Sequence, residues 1–359
     1  MKVAIAAGGT AGHVVPALAV ADALRAEGAA VEFLGGERAE AELVPAAGYP
    51  LHPLRVAGID RRNPLRALRA LALAVRATAR ARRLLREIGA DVVIGGGGYV
   101  AGPVGLAART LRLPLVLTEA DSHLGIANRL LAPAAARVFL AFPLAGCDGD
   151  RYAVVGRPIP RGTLGADRIA ARARFGIGAD ERCLLVFGGS LGARTINDAT
   201  VEAFGAAAPC AVLHACGRRD HEDLADRLDK LGSPAHYRLH DYIQPFADAL
   251  AAADLAVARS GGSVFEVAAA GVPSILVPYP HATADHQTLN ARHFAAGGAA
   301  AVVPDDELDA ARLSREVGTL LADAGRLDEM GRAARALARP DAAETIAREV
   351  LELGKAATR

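Results

Sequence analysis

The sequence predicts an α/β protein of two Rossmann-like, doubly wound parallel-sheet domains facing a cleft. Three observations carry this. Short apolar runs alternate with Ala/Leu/Arg-rich helical stretches from residue 3 onward, which is the rhythm of βαβ units. RYAVVGRPIPRG (151–162) interrupts the rhythm with two prolines and two glycines and reads as a linker. The rhythm then restarts. Each half opens with a strand that runs into a glycine loop and a helix, AIAAGGTAGHVVPALA in one and LLVFGGSLGARTINDA in the other.

In the first half the runs VAIAA (3–7), VEFLG (31–35), DVVIGG (91–96), PLVLTE (114–119) and RVFLAF (137–142) read as buried parallel strands. Helical stretches fall at 17–28, 64–88, 102–112 and 126–133. The second half repeats the alternation with LLVFGG (184–189), AVLHACG (211–217), HYRLHDYI (236–243), LAVARS (255–260), SILVPY (274–279) and AAVVP (300–304). DAAETIAREVLELGKAA (341–357) is a last helix. The expected division is 1–156, 157–335, and a 336–359 helix packing back on the first domain.

Composition narrows the function. A chain of 359 residues, 52% of them hydrophobic, is too long for one ordinary core. A net charge of +1 implies no general attraction to polyanions. Trp is absent and aromatics are 4%, so stacking platforms for nucleic acid are not expected. Cys147, Cys183, Cys210 and Cys216 are scattered without a CxxC pair, which points away from zinc and disulfides and toward a reducing compartment. The start has no signal-peptide pattern. No apolar run reaches the roughly 18 residues of a membrane span. A cytosolic protein able to touch a membrane surface is expected.

The glycine loops carry the chemistry. Backbone N–H groups in such a loop, with the helix N-terminus behind them, can meet a phosphate. A dinucleotide fingerprint is disfavoured, because Ala7 stands at its first glycine and the nearest acid, Glu32, sits inside a strand. His13 is more than a tight turn needs. In a strand-to-helix loop it reads as a ligand or base, and Pro16 suits the first helical turn. GGSLGAR (188–194) reads as an anion cradle, with Ser190 beside Gly189 and Gly192. In 254–291, Glu266 opens a helix where a carboxylate can bind ribose hydroxyls, and Asp285, His286, Gln287 and Asn290 supply sugar-binding groups.

Residues 59–91 carry many arginines, with no acid between Asp60 and Glu87. Leu65, Leu68, Leu71, Ala72 and Val75 fall at helical spacing. The stretch reads equally as a binder of anionic lipid and as a helix packed on the sheet with an Arg-rich solvent face.

GGTAGHVVPALA, GGYVAGP (97–103), GGSLGAR, and RSGGSVFE followed by DHQTLNA together resemble one family, in order and over essentially the whole chain. It is the bacterial UDP-N-acetylglucosamine–N-acetylmuramyl-(pentapeptide) pyrophosphoryl-undecaprenol N-acetylglucosamine transferases, of GT-B fold. The resemblance implies an enzyme that moves GlcNAc from UDP-GlcNAc to the muramyl 4-hydroxyl of lipid I, with inversion, giving lipid II. It implies a peripheral enzyme on the cytoplasmic face of the inner membrane. No DxD-type metal pair stands out in the sequence, so metal independence and no cofactor are expected. The carboxy-terminal domain would bind the nucleotide sugar and the amino-terminal domain the lipid acceptor.

Residue by residue, Ser190 and Arg259 match donor-site positions, and Ile243 matches the residue whose backbone reads the uracil. Gly262, Ser263, Val264 and Phe265 form the donor turn that leads to Glu266, the ribose-binding acid. Gln287 and Asn290 match amide positions near the sugar. Thr10, Ala11, Gly12 and His13 match the loop facing the transferred sugar. Gly98, Tyr99 and Asn128 match acceptor-side positions. His13 is the first candidate base and Asp121 the second.

The chain departs from the family at several points. Ala11 replaces a glycine of GGTGGH. TEAD puts Asp121 where Asn is usual. GRPIPR puts Arg161 one position after the arginine of GNPxR. The RSGGSVFE turn is one residue short and the HATADHQ loop one long. Other GT-B lipid glycosyltransferases, a UDP-GlcNAc 2-epimerase and a nucleotide-sugar sensor are the alternative readings.

Overall fold

The computed structural model describes residues 1–56, 64–189, 192–282 and 285–357, with the backbone alone for 64–72. The chain divides into two units, Met1–Arg161 with Pro340–Arg359, and Gly162–Arg339.

The first unit holds strands β1 (Lys2–Ala6), β2 (Ala30–Gly35), β3 (Leu51–Pro53), β4 (Val92–Gly95), β5 (Leu115–Glu119), β6 (Arg137–Leu140) and β7 (Tyr152–Val154). Its helices are α1 (Ala11–Ala26), α2 (Ala39–Ala46), α3 (Pro64–Ile88), α4 (Gly98–Thr110) and α5 (Ile126–Leu131). The seven strands pair in parallel in the order β3-β2-β1-β4-β5-β6-β7. Val3 sits between Val31 and Val92 in register.

Side chains alternate across this sheet, and both faces are covered. Val3 and Ile5 pack with Val20 and Leu24 of α1 on one face. Ala4 and Ala6 pack with Leu84 and Leu85 of α3 and Val104 of α4 on the other.

Two short strands differ from the sequence reading. Residues 152–154 of the expected linker form β7, because Tyr152–Val154 can extend the ladder beside β6. β3 is a three-residue edge strand with no apolar run to announce it. Glu32, the acid considered for a dinucleotide ribose, pairs with His52 of β3 at 2.6 Å.

The second unit holds β8 (Cys183–Phe187), β9 (Ala211–Ala215), β10 (Tyr237–His240), β11 (Leu255–Ala258), β12 (Ser274–Leu276) and β13 (Ala300–Val302). Its helices are α6 (Arg168–Arg174), α7 (Arg194–Phe204), α8 (His221–Lys230), α9 (Phe246–Ala252), α10 (Val264–Ala270), α11 (His286–Ala296), α12 (Ala310–Leu321) and α13 (Ala324–Ala338). The six strands are parallel in the order β10-β9-β8-β11-β12-β13. Leu184 and Val186 of β8 pack with Ile196 and Leu313 on one face. Cys183, Leu185 and Phe187 pack with Phe175 and Leu250 on the other.

The last helix, α14 (Ala342–Ala357), lies in the first unit and packs on α1. It buries Ala343, Ile346, Ala347 and Val350 in the core that holds Val3 and Ile5. Arg137 and Glu349 join it to β6 at 2.8 Å. Among the described residues no helix is long and apolar enough to cross a membrane.

Each sheet reverses its strand order once, between β1 and β4 in the first unit and between β8 and β11 in the second. Ligands of open α/β sheets bind outside the carboxyl ends of strands at such switch points. The loops TAGH and GGYV follow β1 and β4, and GGSLGAR and RSGGSVFE follow β8 and β11. The four glycine-rich motifs therefore lie at the two switch points.

Candidate functional site

In the first unit, Thr10 is the N-cap of α1 and His13 stands in its first turn. The His13 and Val14 amides donate to the Thr10 carbonyl. Thr10 Oγ1 lies 3.3 Å from His13 Nδ1. Thr10, Ala11 and Gly12 are exposed, and His13 is half-buried. Gly97, with φ +84°, makes room for the imidazole, because a Cβ there would stand 2.7 Å from His13 Cδ2.

The pKa of His13 is lowered. Burial is the main cause and Arg157 and His123 add to it, against Asp121 and Glu40, which act to raise it. At neutral pH the ring is therefore the neutral, proton-accepting form.

Asp121 follows β5 and is half-buried. Its backbone amide donates to Glu119 Oε1 at 3.3 Å, and its Oδ1 lies 3.9 Å from Arg157 Nη1. Glu119 also accepts from the Gly125 amide at 2.8 Å and the Asn128 amide group at 3.0 Å. Burial raises the Glu119 pKa, although these donors oppose it. Asn128, expected on the acceptor side, is turned inward and is 1% exposed. Its Nδ2 is spent on Thr118 O and Glu119 Oε2, so it shapes the loop and offers no surface.

Tyr99 donates its hydroxyl to Glu40 Oε1 at 2.9 Å, under Arg38. Burial and the Glu40 carboxylate push the Tyr99 pKa up to about 12, so it stays a donor. Glu40, 0% exposed, also accepts from the Gly9 amide at 2.9 Å and the Gly36 amide at 2.8 Å. Burial acts to raise its pKa, but the hydrogen bonds win and hold the carboxyl below its ordinary value. One carboxylate thus ties the loops after β1 and β2 to α4. Sequence reading missed Glu40 and Arg157, whose partners Gly9, Tyr99, Gly12 and Ala120 lie far along the chain. It also missed Glu119, whose donors Asp121, Gly125 and Asn128 are near in sequence but are gathered only by the fold of the loop after β5.

In the second unit, Ser190 lies outside the described residues. Gly192 has φ +75°, and a Cβ there would stand 2.1 Å from the Cys216 carbonyl oxygen, so glycine is required. The same carbonyl accepts from Asn197 Nδ2 at 2.9 Å, which pins the start of α7 to the end of β9. Asn197 continues to Asp220 and to His214, which meets the Tyr237 hydroxyl at 2.7 Å. Burial drops the His214 pKa to about 3, so that ring stays neutral.

Arg259 follows β11 and is almost fully buried. Its Nη1 donates to Val277 O, Pro278 O and, at 2.5 Å, Asp305 Oδ1. Asp305 Oδ2 accepts from Thr195 Oγ1 at 3.2 Å. Asp305, an acid that sequence reading did not single out, therefore orients the expected donor-site cation through Nη1.

Ser260, fully buried, donates to Gln287 O at 2.7 Å and accepts from Asn290 Nδ2 at 3.0 Å. Asn290 is 2% exposed and latches α11 to the end of β11. Gln287 is half-buried, with Oε1 accepting from the Tyr279 amide at 3.0 Å. Glu266 is half-buried in the first turn of α10. Gly262 and Ser263 are half-buried, Val264 and Phe265 buried, and Phe265 packs edge-on against Phe294. Ile243 is buried before Gln244.

Arg161 belongs to the first unit and faces Glu344 at 3.4 Å on the surface. Among the described residues no group of three His, Cys, Asp or Glu is placed to hold a metal ion.

Comparison with known proteins gives a consistent picture. Residues 3–140 match the glycosyltransferase family 28 N-terminal domain, and residues 183–346 match the family 28 C-terminal domain. A relative from Aeromonas hydrophila subsp. hydrophila is 43% identical over 97% of this chain and 96% of its own length. One from Alkalilimnicola ehrlichii is 45% identical over 98% and 99%. Both are described as UDP-N-acetylglucosamine–N-acetylmuramyl-(pentapeptide) pyrophosphoryl-undecaprenol N-acetylglucosamine transferases. The crystal structure of Acinetobacter baumannii MurG is similar at TM-score 0.78 and 32% identity, covering 98% of this chain and 99% of that one. A putative UDP-N-acetylglucosamine 2-epimerase from Listeria monocytogenes shares the fold, at TM-score 0.70 and 16% identity over 96% and 94%.

Proposed function

The chain belongs to the family of UDP-N-acetylglucosamine–N-acetylmuramyl-(pentapeptide) pyrophosphoryl-undecaprenol N-acetylglucosamine transferases, and from that premise we propose how its own residues carry the reaction. It is a GT-B glycosyltransferase that moves GlcNAc from UDP-GlcNAc to the muramyl 4-hydroxyl of lipid I, giving lipid II with inversion. The acceptor oxygen attacks the anomeric carbon, the bond from that carbon to the diphosphate breaks, and UDP departs with the electron pair.

His13 takes the hydroxyl proton. The observation that carries this is the surround of the ring, which lowers its pKa and sets Nδ1 against Thr10 Oγ1. With Nδ1–H donating to Thr10, Nε2 keeps its lone pair for the acceptor. Asp121 is the alternative base. Thr10, Ala11 and Gly12 face the transferred sugar, and Gly98 and Tyr99 the acceptor. In the second unit the start of α7 meets the diphosphate with its backbone N–H groups, together with Ser190 and Arg259. Glu266 binds the ribose, Gln287 the sugar, and the Ile243 backbone the uracil.

The test is a transfer assay with purified protein, labelled UDP-GlcNAc and a lipid I analogue in detergent. Label is expected in the lipid. Conversion of UDP-GlcNAc to UDP-ManNAc without transfer would overturn the reading in favour of an epimerase.

The enzyme works as a peripheral protein on the cytoplasmic membrane surface. α3 carries Arg76, Arg80, Arg82, Arg83 and Arg86, with Val75 65% exposed. Leu106 on α4 and Ile126 and Leu130 on α5 are exposed too, and Leu130 is 74% so. The side chains of Leu65, Leu68, Leu71 and Ala72 lie outside the described residues. Basic charge beside exposed apolar side chains suits anionic headgroups. In vesicle co-sedimentation the protein is expected to bind phosphatidylglycerol vesicles, to ignore phosphatidylcholine vesicles, and to weaken as salt screens the arginines. Equal binding to both vesicles would refute an electrostatic contribution.

A further inference from the structure

We infer that Arg157 is a positioning residue for the transfer, its single guanidinium fixing the two loops that carry both candidate bases. The inference rests on the function proposed above and names a group that the sequence did not mark. Arg157 follows β7 and is 6% exposed. Its Nη2 donates to the Gly12 carbonyl at 2.6 Å and its Nη1 to the Ala120 carbonyl at 2.7 Å. Each of those carbonyls belongs to the residue immediately before a candidate base, His13 in one case and Asp121 in the other. Gly12 lies at the start of α1 and Ala120 beyond β5, so nothing local in the chain sets their separation. The sheet holds β1 and β5 on either side of β4, and beyond the strand ends the planar guanidinium fixes the two loops, because its donors project at fixed angles.

The charge has a second effect. Arg157 Nη1 stands 3.9 Å from Asp121 Oδ1. The groups acting on His13 are Asp121 and Glu40, which favour its protonation, and Arg157 and His123, which oppose it along with burial. Arg157 thus keeps a positive charge where it makes the His13 proton less welcome.

Geometry and charge separate in two variants. Arg157→Lys keeps the charge, but an ammonium on a flexible stem cannot hold both carbonyls in the fork geometry. Arg157→Gln loses both. For Arg157→Lys, kcat is expected to fall about 10²-fold, the cost of a misplacement near 1 Å, with KM for UDP-GlcNAc little changed and the acid limb of the pH profile where wild type has it. For Arg157→Gln, kcat falls at least as far and the acid limb moves to higher pH, because His13 then holds its proton more tightly.

Melting curves run beside the kinetics. Wild-type kcat and pH profile in both variants would overturn the inference. So would a loss of kcat that follows a loss of folded protein with the acid limb unmoved in Arg157→Gln, which is a purely structural role. A failure of the functional reading looks different, since then wild type itself transfers no label.

Discussion

His13→Ala is expected to lower kcat for transfer by about 10²- to 10⁴-fold, the usual worth of a positioned general base. UDP binding should be nearly unchanged, since the groups proposed to hold UDP belong to the second unit. Equilibrium binding of UDP, measured beside steady-state kinetics, separates the two effects. The wild-type acid limb should lie below the ordinary histidine value, because the His13 pKa is lowered, chiefly by burial. Activity is then full while the ring is neutral and fades as pH falls through that lowered value. Asp121→Asn is the paired measurement. It removes a carboxylate that favours His13 protonation, so it should move the limb further down while most of kcat survives. If transfer survived His13→Ala and collapsed in Asp121→Asn, the base would be Asp121.

Glu40→Ala is expected to destabilise the first unit by about 1–3 kcal/mol, the cost of leaving buried donors without their acceptor. The amides of Gly9 and Gly36 and the Tyr99 hydroxyl all lose their acceptor, and buried donors without partners are costly. Glu40→Gln should lose less, because an amide keeps one oxygen acceptor. Chemical denaturation at neutral pH measures both. The pH dependence has a definite sign. The folded carboxyl is held below its ordinary value. Its contribution is therefore complete above the unfolded value of about 4.3 and disappears as pH falls through the lower folded value. A Glu40→Ala variant as stable as wild type at pH 7 would contradict the network.

The sequence was most legible where one local pattern determines the outcome. Buried parallel strands such as VAIAA and LLVFGG are apolar along their length because helices cover both faces. The glycine loops mark their own positions. At Gly192, for instance, the backbone passes so near the Cys216 carbonyl that no side chain fits.

Legibility failed where a residue's meaning depends on distant partners. Nothing near Glu40 in ERAEAELV announces a carboxylate gathering donors from Gly9, Gly36 and Tyr99. Nothing in GRPIPR says that its first arginine spans Gly12 and Ala120. The same blindness explains Asn128, matched to the acceptor side, and Asn290, matched near the sugar. The amide nitrogen of each is engaged within the fold, and the amide oxygen of each is buried without a hydrogen-bond partner among the described residues. It also explains Asp305, an acid from beyond β13 that meets Arg259 and that its own stretch does not announce. β7 was hidden differently, since three apolar residues beside prolines read as linker until β6 lies next to them.

The packing of α14 bears on how the protein is made. The second unit is one uninterrupted stretch, Gly162–Arg339, while the first is completed by residues from Pro340 on. On a ribosome the early strands emerge first, yet the face carrying Val3, Ile5, Val20 and Leu24 waits for Ile346 and Val350. A contact between the start of the chain and residues some 340 later is among the slowest kinds to form. Domains usually fold as units in order of synthesis. Here the order inverts: the later-made unit has all its residues in hand first, and the earlier one keeps an apolar surface uncovered until synthesis has passed residue 350.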